Sequence, residues 1–430
     1  MKKLLDLVTL FSMRWRLLFN IKLYKYLYNL ITIKSARLLD RNSPGALNLP
    51  GKTIYFDLSR SYDTNLRSGI PRVVRSFFYL MARKRDNVVP IYLPLFINGA
   101  YEINVEKKGY EFRIKKSRRQ VQLTSGDFFI SFDADREEII DHIEELREFA
   151  KLGGQVIIGI HDLFPITNPE WFEPKRGEVY SRFINQLKDF AKFICISRST
   201  KRALQEIFPT IPTSNIFTIS LGCDFLYNSH SKNLVERSIP QEIATQCKTF
   251  IVVGTIEPRK NISYIIRCFS NLWRAGADYR LIIIGKKGWL AKLILAEIVD
   301  SKYFNTKLFW DNNADDRKLE MYYKTASALI VPSFNEGFCL PIAEAIFHRC
   351  PVIANSLPIF HELFSEKIAF FDANLPPENF SEHFNNLLEI AQNRIQGSSS
   401  LPTWSDSCEQ LDDIIKTLTE RNNRVSSRLA

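Results

Sequence analysis

Short apolar runs alternate with longer amphipathic ones along most of the chain. Thr53–Leu58, Val88–Leu93, Phe128–Phe132, Val156–Ile160, Phe193–Ile196 and Ile216–Ile219 are four to six residues long and rich in Ile, Val and Phe, so they predict buried strands. Between them Pro71–Arg85, Glu137–Lys151 and Gly177–Ala191 carry apolar residues at helical spacing. A second series starts at Phe250–Gly254 and continues through Leu281–Gly285, Leu308–Trp310, Leu329–Val331, Val352–Ala354 and Ala369–Phe371. Alternation of this kind predicts parallel sheets in α/β layers, twice over. Asn228–Gln246 is polar, contains Pro240 and lacks a long periodic segment, which makes it the linker. The expected organisation is an N-terminal extension over residues 1–50, a first α/β domain over 51–230, a second over 247–400, and a helix with a polar tail over 401–430. A cleft between two such domains is the default binding site.

Composition changes this picture little, but the distribution of charge changes it more. The 430 residues are 45% hydrophobic and 24% charged, an ordinary globular balance for a chain long enough to hold two cores. The seven cysteines are scattered, without a C-x-x-C pair, so a reducing compartment and no zinc are expected. A net charge of +11 would suit a nucleic-acid binder were it spread over the body. Instead residues 1–50 hold nine Lys and Arg against Asp6 and Asp40, leaving the body nearly balanced. Nucleic acid is therefore not an expected partner. In the extension the cations are interleaved with Leu, Phe, Trp and Tyr, as in Met13-Arg14-Trp15-Arg16-Leu17. That pattern fits an anionic membrane surface, and packing on the body or on a partner chain is the alternative. No apolar run reaches the 18 to 20 residues, roughly, of a membrane span, and no secretory signal is recognisable. The expected place is cytoplasmic, peripheral on the inner face of the cell membrane.

Two stretches carry candidate chemistry. Val253-Gly254-Thr255-Ile256-Glu257-Pro258-Arg259-Lys260-Asn261 follows a strand and precedes a helix beginning near Ile262. Such a turn points backbone N–H groups and the positive end of a helix at the carboxyl edge of a sheet, where phosphate binds. Arg259 and Lys260 could neutralise a diphosphate leaving group there, and a plain surface charge pair is the bland reading. The second stretch runs from Ile330 to Ala345 and is again strand, loop and helix. Gly337 would let the backbone approach a ligand closely, and Pro341 suits a helix's first turn. Glu336 falls in the loop and Glu344 on a mostly apolar helix, where a buried carboxylate needs partners. Asp133-Ala134-Asp135 spells D-x-D but reads as a solvated strand end or a cap before Glu137. His142, His230, His348, His361 and His383 lack metal-ligand spacing. Lys286 reads equally as a donor-loop cation or a solvated turn.

In the E-x7-E spacing of Glu336 and Glu344, with Gly337-Phe338-Cys339-Leu340-Pro341 between them, the chain resembles the retaining nucleotide-sugar glycosyltransferases of family 4, the glycosyl transferases group 1. Within that family it is similar to bacterial mannosyltransferases of O-antigen and capsular polysaccharide assembly. Ser68-Gly69-Ile70-Pro71-Arg72-Val73, His161-Asp162-Leu163-Phe164-Pro165, Ile196-Ser197-Arg198-Ser199-Thr200, Leu221-Gly222-Cys223-Asp224 and Gly285-Lys286-Lys287-Gly288-Trp289 add to the likeness, which covers about residues 50 to 420. The resemblance implies a GT-B fold, two Rossmann-like domains facing a cleft, with a final helix over Ser407–Leu418 crossing back to the first. It implies that Arg259 and Lys260 contact the donor diphosphate, Glu344 the ribose, and Glu336 with the backbone of Gly337, Phe338, Cys339 and Leu340 the transferred sugar. His161 would face that sugar from the other side, and Gly69 would lie near the phosphates or acceptor. Asp162 would share the pocket or cap the next turn. One departure stands out: Thr255 follows Gly254 where some relatives place Arg.

The expected reaction is transfer of a hexose, mannose being the first candidate, from a nucleotide diphosphate sugar to a polysaccharide or lipid-linked glycan acceptor. Neither a cofactor nor a metal is expected, because basic residues can carry the charge work. A nucleotide-sugar epimerase on the same fold and a non-catalytic membrane-associated scaffold are the alternatives. If the extension meets a membrane, a chain lacking residues 1–45 will bind anionic vesicles more weakly than the full chain in a sedimentation assay. Unchanged binding would rule the idea out.

Overall fold

The computed structural model describes residues 52–59, 69–94, 99–108, 111–121, 123–133, 137–224, 247–396 and 401–429. The basic extension, the 228–246 linker with His230, and Asp135 lie outside the described residues. Two compact units divide the chain: residues 1–64 with 86–156, and residues 65–85 with 157–430.

In the first unit the strands are β1 (Ile54–Asp57), β2 (Val88–Tyr92), β3 (Ala100–Lys108), β4 (Glu111–Val121) and β5 (Phe128–Ser131), in the spatial order β4-β3-β2-β1-β5. Every residue of β1 is buried, since β2 and β5 pair with it in parallel from either side, Ile54 lying opposite both Val88 and Phe128. β3 and β4 pair antiparallel, so the sheet is mixed where the apolar pattern predicted parallel strands alone. Both were missed because polar residues, Glu102 and Asn104 in β3 and Arg113 in β4, separate the apolar ones, Tyr101, Ile103 and Val105 in the first and Phe112 and Ile114 in the second, a period of two that marks a strand with one apolar face. The single helix predicted over Glu137–Lys151 is two, Glu137–Asp141 and Ile143–Lys151. His142 stands at the break, 2% exposed, its Nδ1 2.7 Å from Glu145 Oε2 and its Nε2 2.9 Å from the Pro94 carbonyl oxygen. Both partners accept only, so both ring nitrogens donate, the arrangement of an imidazolium.

The second unit takes in β6 (Gln155–Ile160) from Ile157 onward, and the run of β6, β7 (Lys192–Cys195) and β8 (Ile216–Thr218) is parallel, Ile157 facing Lys192 and Phe193 facing Ile216. A six-stranded sheet follows, formed by β9 (Lys248–Val253), β10 (Tyr279–Ile284), β11 (Leu308–Asp311), β12 (Ala328–Val331), β13 (Val352–Asn355) and β14 (Ala369–Phe371). Its order is β11-β10-β9-β12-β13-β14 and each neighbouring pair is parallel. Counted from its own first strand this is 3-2-1-4-5-6, the doubly wound order, whose direction of winding reverses between β9 and β12. Ligands of such sheets bind outside the carboxyl ends of the two strands that flank the reversal. Phe250 of β9 anchors the packing, its ring 5.5 Å from Phe269 and 4.9 Å from Phe384 on the helices Ile262–Arg274 and Pro377–Gln396. Asn355, buried at the end of β13, donates to the Ser333 carbonyl at 2.9 Å and accepts from the Ala373 amide at 2.9 Å, tying down the loop after β12.

The last helix is longer than the predicted Ser407–Leu418, spanning Trp404–Leu429. It packs on the helix Ile70–Lys84, with the Trp404 ring edge-on to Phe77 at 5.7 Å, and Ser407 Oγ donates to the Ser220 carbonyl at 2.7 Å. Among the described residues no helix is long and apolar enough to cross a membrane.

Burial opposes a charge on His142, but its bonds to Glu145 and Pro94 outweigh this and raise its pKa above 6.5. A raised histidine stabilises below the unfolded value and loses that contribution as pH rises through the folded one. The denaturant midpoint of the wild type should therefore exceed that of His142→Ala by more at pH about 6 than at about 9. A gap independent of pH would mean that His142 acts by packing alone.

Candidate functional site

The site grows from the two loops at the sheet's reversal. After β9 the chain passes Gly254, turns through a single 3-10 turn at Pro258–Lys260, and enters the helix Ile262–Arg274 from Asn261, whose φ is 51°. Gly285, after β10, has φ 158° and lies so close to Gly254 that a Cβ would fall 1.9 Å from the Gly254 carbonyl oxygen; glycine there keeps the two strand ends together. After β12 the loop Pro332–Cys339 leads into the helix Leu340–Phe347, with Pro341 in its first turn as the sequence predicted.

Arg259 joins the loops. One terminal nitrogen donates to Glu257 Oε1 at 2.7 Å, and the other to Glu336 Oε2 at 2.7 Å and to the Asn335 carbonyl at 2.9 Å. Its own carbonyl accepts from the Phe334 amide at 2.9 Å. Lys260 Nζ lies 2.6 Å from Glu336 Oε1, which also accepts from Ser333 Oγ at 2.8 Å. Two cations and two carboxylates thus form one neutral cluster, with Glu257 1% and Glu336 7% exposed. Burial pushes the Glu336 pKa up, but Arg259 and Lys260 more than reverse it and bring it down to about 2. For Arg259 burial opposes the charge, and Glu336, Glu257 and Asp162 together raise the pKa. Glu257 goes the other way: burial raises it despite Arg259 and Lys260, and its Oε2 has no hydrogen-bond partner among the described residues.

The loop after β6 adjoins this cluster. His161 is 9% exposed, and a Cβ on Gly337 would lie 2.2 Å from the His161 carbonyl oxygen. The sequence reading assigned Gly337 to close approach of a ligand; the close approach seen is to this carbonyl. Asp162 Oδ1 accepts from the Phe164 amide at 3.2 Å, so it caps the next turn. It also belongs electrostatically to the cluster: burial raises its pKa, while Arg259 and His161 oppose the rise. The Phe164 ring packs under the Arg259 guanidinium at 5.6 Å.

Glu344 sits apart from Glu336, 6% exposed on its helix, and finds the partners its burial requires. Arg72 donates to Oε1 and the Tyr323 hydroxyl to Oε2 at 2.8 Å, while Arg72 also reaches Asp316 at 3.0 Å. Arg72 stands in the first turn of Ile70–Lys84, which Gly69 opens with φ 64°, so Gly69 and Glu344 are linked through it. Phe338 turns its ring into the core, edge-on to Phe364 at 5.9 Å, leaving its backbone to the loop. Cys339 has φ 79° and its thiol, pushed up to about 12 by burial and then by Glu336, is inert as a nucleophile at neutral pH. Leu340 opens the helix. Lys286 is exposed, its carbonyl holding the Ile256 amide at 2.9 Å. Asp133 is 2% exposed, a correction to its reading as a solvated strand end.

Sequence reasoning did not single out Glu257, Arg72, Ser333, Asp316 or Tyr323. Glu257, Arg72 and Ser333 lay inside stretches already recognised, and a carboxylate two residues from an arginine in a turn was a readable signal. Tyr323 and Asp316 meet Glu344 only through the tertiary fold.

Residues 236–396 match the family model for glycosyl transferases group 1. The match holds Arg259, Lys260, Glu336 and Glu344 and leaves out Gly69 and His161. The chain is 29% identical over 286 residues to the serotype-specific mannosyltransferase WbdA of Escherichia coli, covering 64% of this chain and 35% of the relative. It is 26% identical over 225 residues to O-antigen chain mannosyltransferase B of Escherichia coli, covering 51% of this chain and 58% of that one. The chain thus spans about a third of the length of the WbdA relatives it matches. Among solved structures, an α,α-trehalose-phosphate synthase from Burkholderia xenovorans superposes with a TM-score of 0.59 at 11% identity, over 86% of this chain and 100% of that one. WaaG, a glycosyltransferase involved in lipopolysaccharide biosynthesis, gives 0.56 at 13%, over 84% and 99%. These likenesses show the fold, and it is the GT-B fold of α/β domains with largely parallel sheets that the resemblance implied.

The Gly337 contact gives a direct check. Gly337→Ala sets a methyl group against a backbone carbonyl that cannot rotate away, and overpacking of this kind costs about 1–3 kcal/mol. A lowered denaturation midpoint is expected, and an unchanged one would show that the His161 and Gly337 loops meet loosely.

Proposed function

We propose that the protein is a retaining glycosyltransferase that moves a hexose, mannose first among the candidates, from a nucleoside diphosphate sugar to a polysaccharide or lipid-linked glycan acceptor. The observation that carries this reading is the cluster of Glu257, Arg259, Lys260 and Glu336 at the reversal of a doubly wound sheet. Two fixed cations at that place are suited to a diphosphate, whose departure as a leaving group leaves negative charge to be neutralised. Glu336 offers acceptor oxygens to sugar hydroxyls, Glu344 does the same for ribose, and the amides of Gly337, Phe338, Cys339 and Leu340 border the same loop. The likeness to mannosyltransferases named for O-antigen chains supports mannose as the sugar.

The mechanism follows from what these groups can do. Arg259 and Lys260 stabilise the diphosphate as the sugar–oxygen bond lengthens, and positive charge gathers on the sugar ring. Neither carboxylate is given the part of a nucleophile: Asp162 is held by the Phe164 amide, and Glu336 by the Ser333 hydroxyl as well as by the two cations. The leaving phosphate oxygen is the base that takes the acceptor hydroxyl's proton, so bond breaking and bond making share one face of the sugar and configuration is retained. His161, buried with its carbonyl against Gly337, borders the sugar. Arg259 and Lys260 carry the charge work, with no part for a metal or other cofactor.

A donor screen tests this. GDP-mannose, dTDP-rhamnose and UDP-hexoses are compared by thermal shift and hydrolysis, with Lys260→Ala and Glu344→Ala beside the wild type. One donor should raise the wild-type melting temperature and turn over, with both effects reduced at least tenfold in Lys260→Ala. A folded wild type that neither binds nor hydrolyses any donor would favour a non-catalytic scaffold.

A further inference from the structure

The cations that the proposed function assigns to the diphosphate are already occupied. Glu336 puts Oε1 2.6 Å from Lys260 Nζ and Oε2 2.7 Å from an Arg259 terminal nitrogen, so its two oxygens span the two cations as two phosphate oxygens would. Ser333 holds the carboxylate in that pose through Oε1, and Asn355 holds Ser333 through its carbonyl. The opposite side of Arg259 is held separately, by Glu257 at 2.7 Å. Glu257 is more deeply buried than Glu336 and is bound to one cation rather than two. The two carboxylates are therefore unequal: one bridges both cations from the loop after β12, and the other backs Arg259 from its own turn.

We infer that Glu336 is the resident anion of the diphosphate subsite, which the donor must displace before Arg259 and Lys260 can grip it, while Glu257 keeps Arg259 in place during the exchange. This inference rests on the proposed function and adds an order to it. When the diphosphate takes the cations, Glu336 is released from both of them and keeps the Ser333 hydroxyl on Oε1, with Oε2 open toward the sugar that the diphosphate carries. Recognition of the sugar then depends on arrival of the phosphates, and a free sugar meets a carboxylate that is still engaged. No bond is made or broken in the exchange; one pair of charge-assisted contacts replaces another.

The consequence runs against the usual effect of deleting a binding residue. If the open arrangement makes up about a tenth of the population, its intrinsic affinity for a diphosphate is masked about tenfold, and removing the competing anion restores it. Because Arg259 and Lys260 bring the Glu336 pKa down to about 2, the competitor stays charged throughout the neutral range and pH does not relieve it.

The test is calorimetric titration of UDP, GDP, dTDP and inorganic pyrophosphate into wild type, Glu336→Gln and Ser333→Ala, each shown to be folded by circular dichroism. Glu336→Gln should bind the preferred nucleoside diphosphate about tenfold more tightly than wild type while losing turnover of the donor sugar. Ser333→Ala, which loosens the pose but keeps the charge, should tighten binding about twofold, and it decides alone if Glu336→Gln does not fold. Equal or weaker binding by the folded variants would overturn the inference. If wild type binds pyrophosphate but none of the nucleoside diphosphates, the functional reading fails instead. The pyrophosphate series then decides the inference: tighter binding by the variants keeps the occupied cation pair, and unchanged binding removes it.

Discussion

The two bonds of Arg259, to Glu257 on one side and Glu336 on the other, are the interaction on which the site depends. A guanidinium is planar and offers its donors in a fixed fork, so two carboxylates on different loops can be held at set positions by one side chain. Burying such a residue is unfavourable unless its charge is matched, and here it is matched on both sides. The turn after β9 and the loop after β12 are thereby joined at the place where a doubly wound sheet reverses. The backbone hydrogen bond from Phe334 to the Arg259 carbonyl repeats the connection at the level of the main chain.

Around this bridge the fold applies several independent restraints. Asn355 closes the base of the loop after β12, the paired glycines Gly254 and Gly285 let the ends of β9 and β10 meet, and Phe164 lies under the Arg259 guanidinium. Glu344 is restrained separately by Arg72 and Tyr323, with no contact to the first cluster needed. Each acidic residue of the E-x7-E pair thus has its own basic partner, Glu336 from the strand–helix turn and Glu344 from the helix that Gly69 opens. Preorganisation of this kind lets a polar site exclude water without leaving charges unpaired.

The same restraints explain why some parts of the chain were readable in advance and others were not. Buried parallel strands such as β1, β9 and β12 are near-continuous apolar runs, and their place before Gly-containing turns marked both loops of the site. β3 and β4 were passed over because their apolar residues alternate with polar or charged ones. The break at His142 was hidden because a helical pattern continues through it; the ring turns instead to Glu145 and to a carbonyl forty-eight residues earlier. Gly337 was expected to let the backbone approach a ligand, yet the group it approaches, the His161 carbonyl, belongs to the protein and is far away in sequence.

By itself the sequence determined the α/β class, the strand–turn–helix settings of Arg259, Lys260, Glu336 and Glu344, and the concentration of positive charge in the first fifty residues. These follow from local periodicity, from turn chemistry and from counting, none of which needs distant contacts. Only the tertiary structure decided how the charges are matched: that Glu336 rather than solvent faces Arg259 and Lys260, that Glu257 backs Arg259, and that Arg72 and Tyr323 take up Glu344. An ion pair between residues 76 or 77 positions apart, such as those of Lys260 and Arg259 with Glu336, leaves no periodic trace. It exists because parallel strands β9 and β12 lie side by side, and the sheet order that puts them there is set by packing across the whole unit.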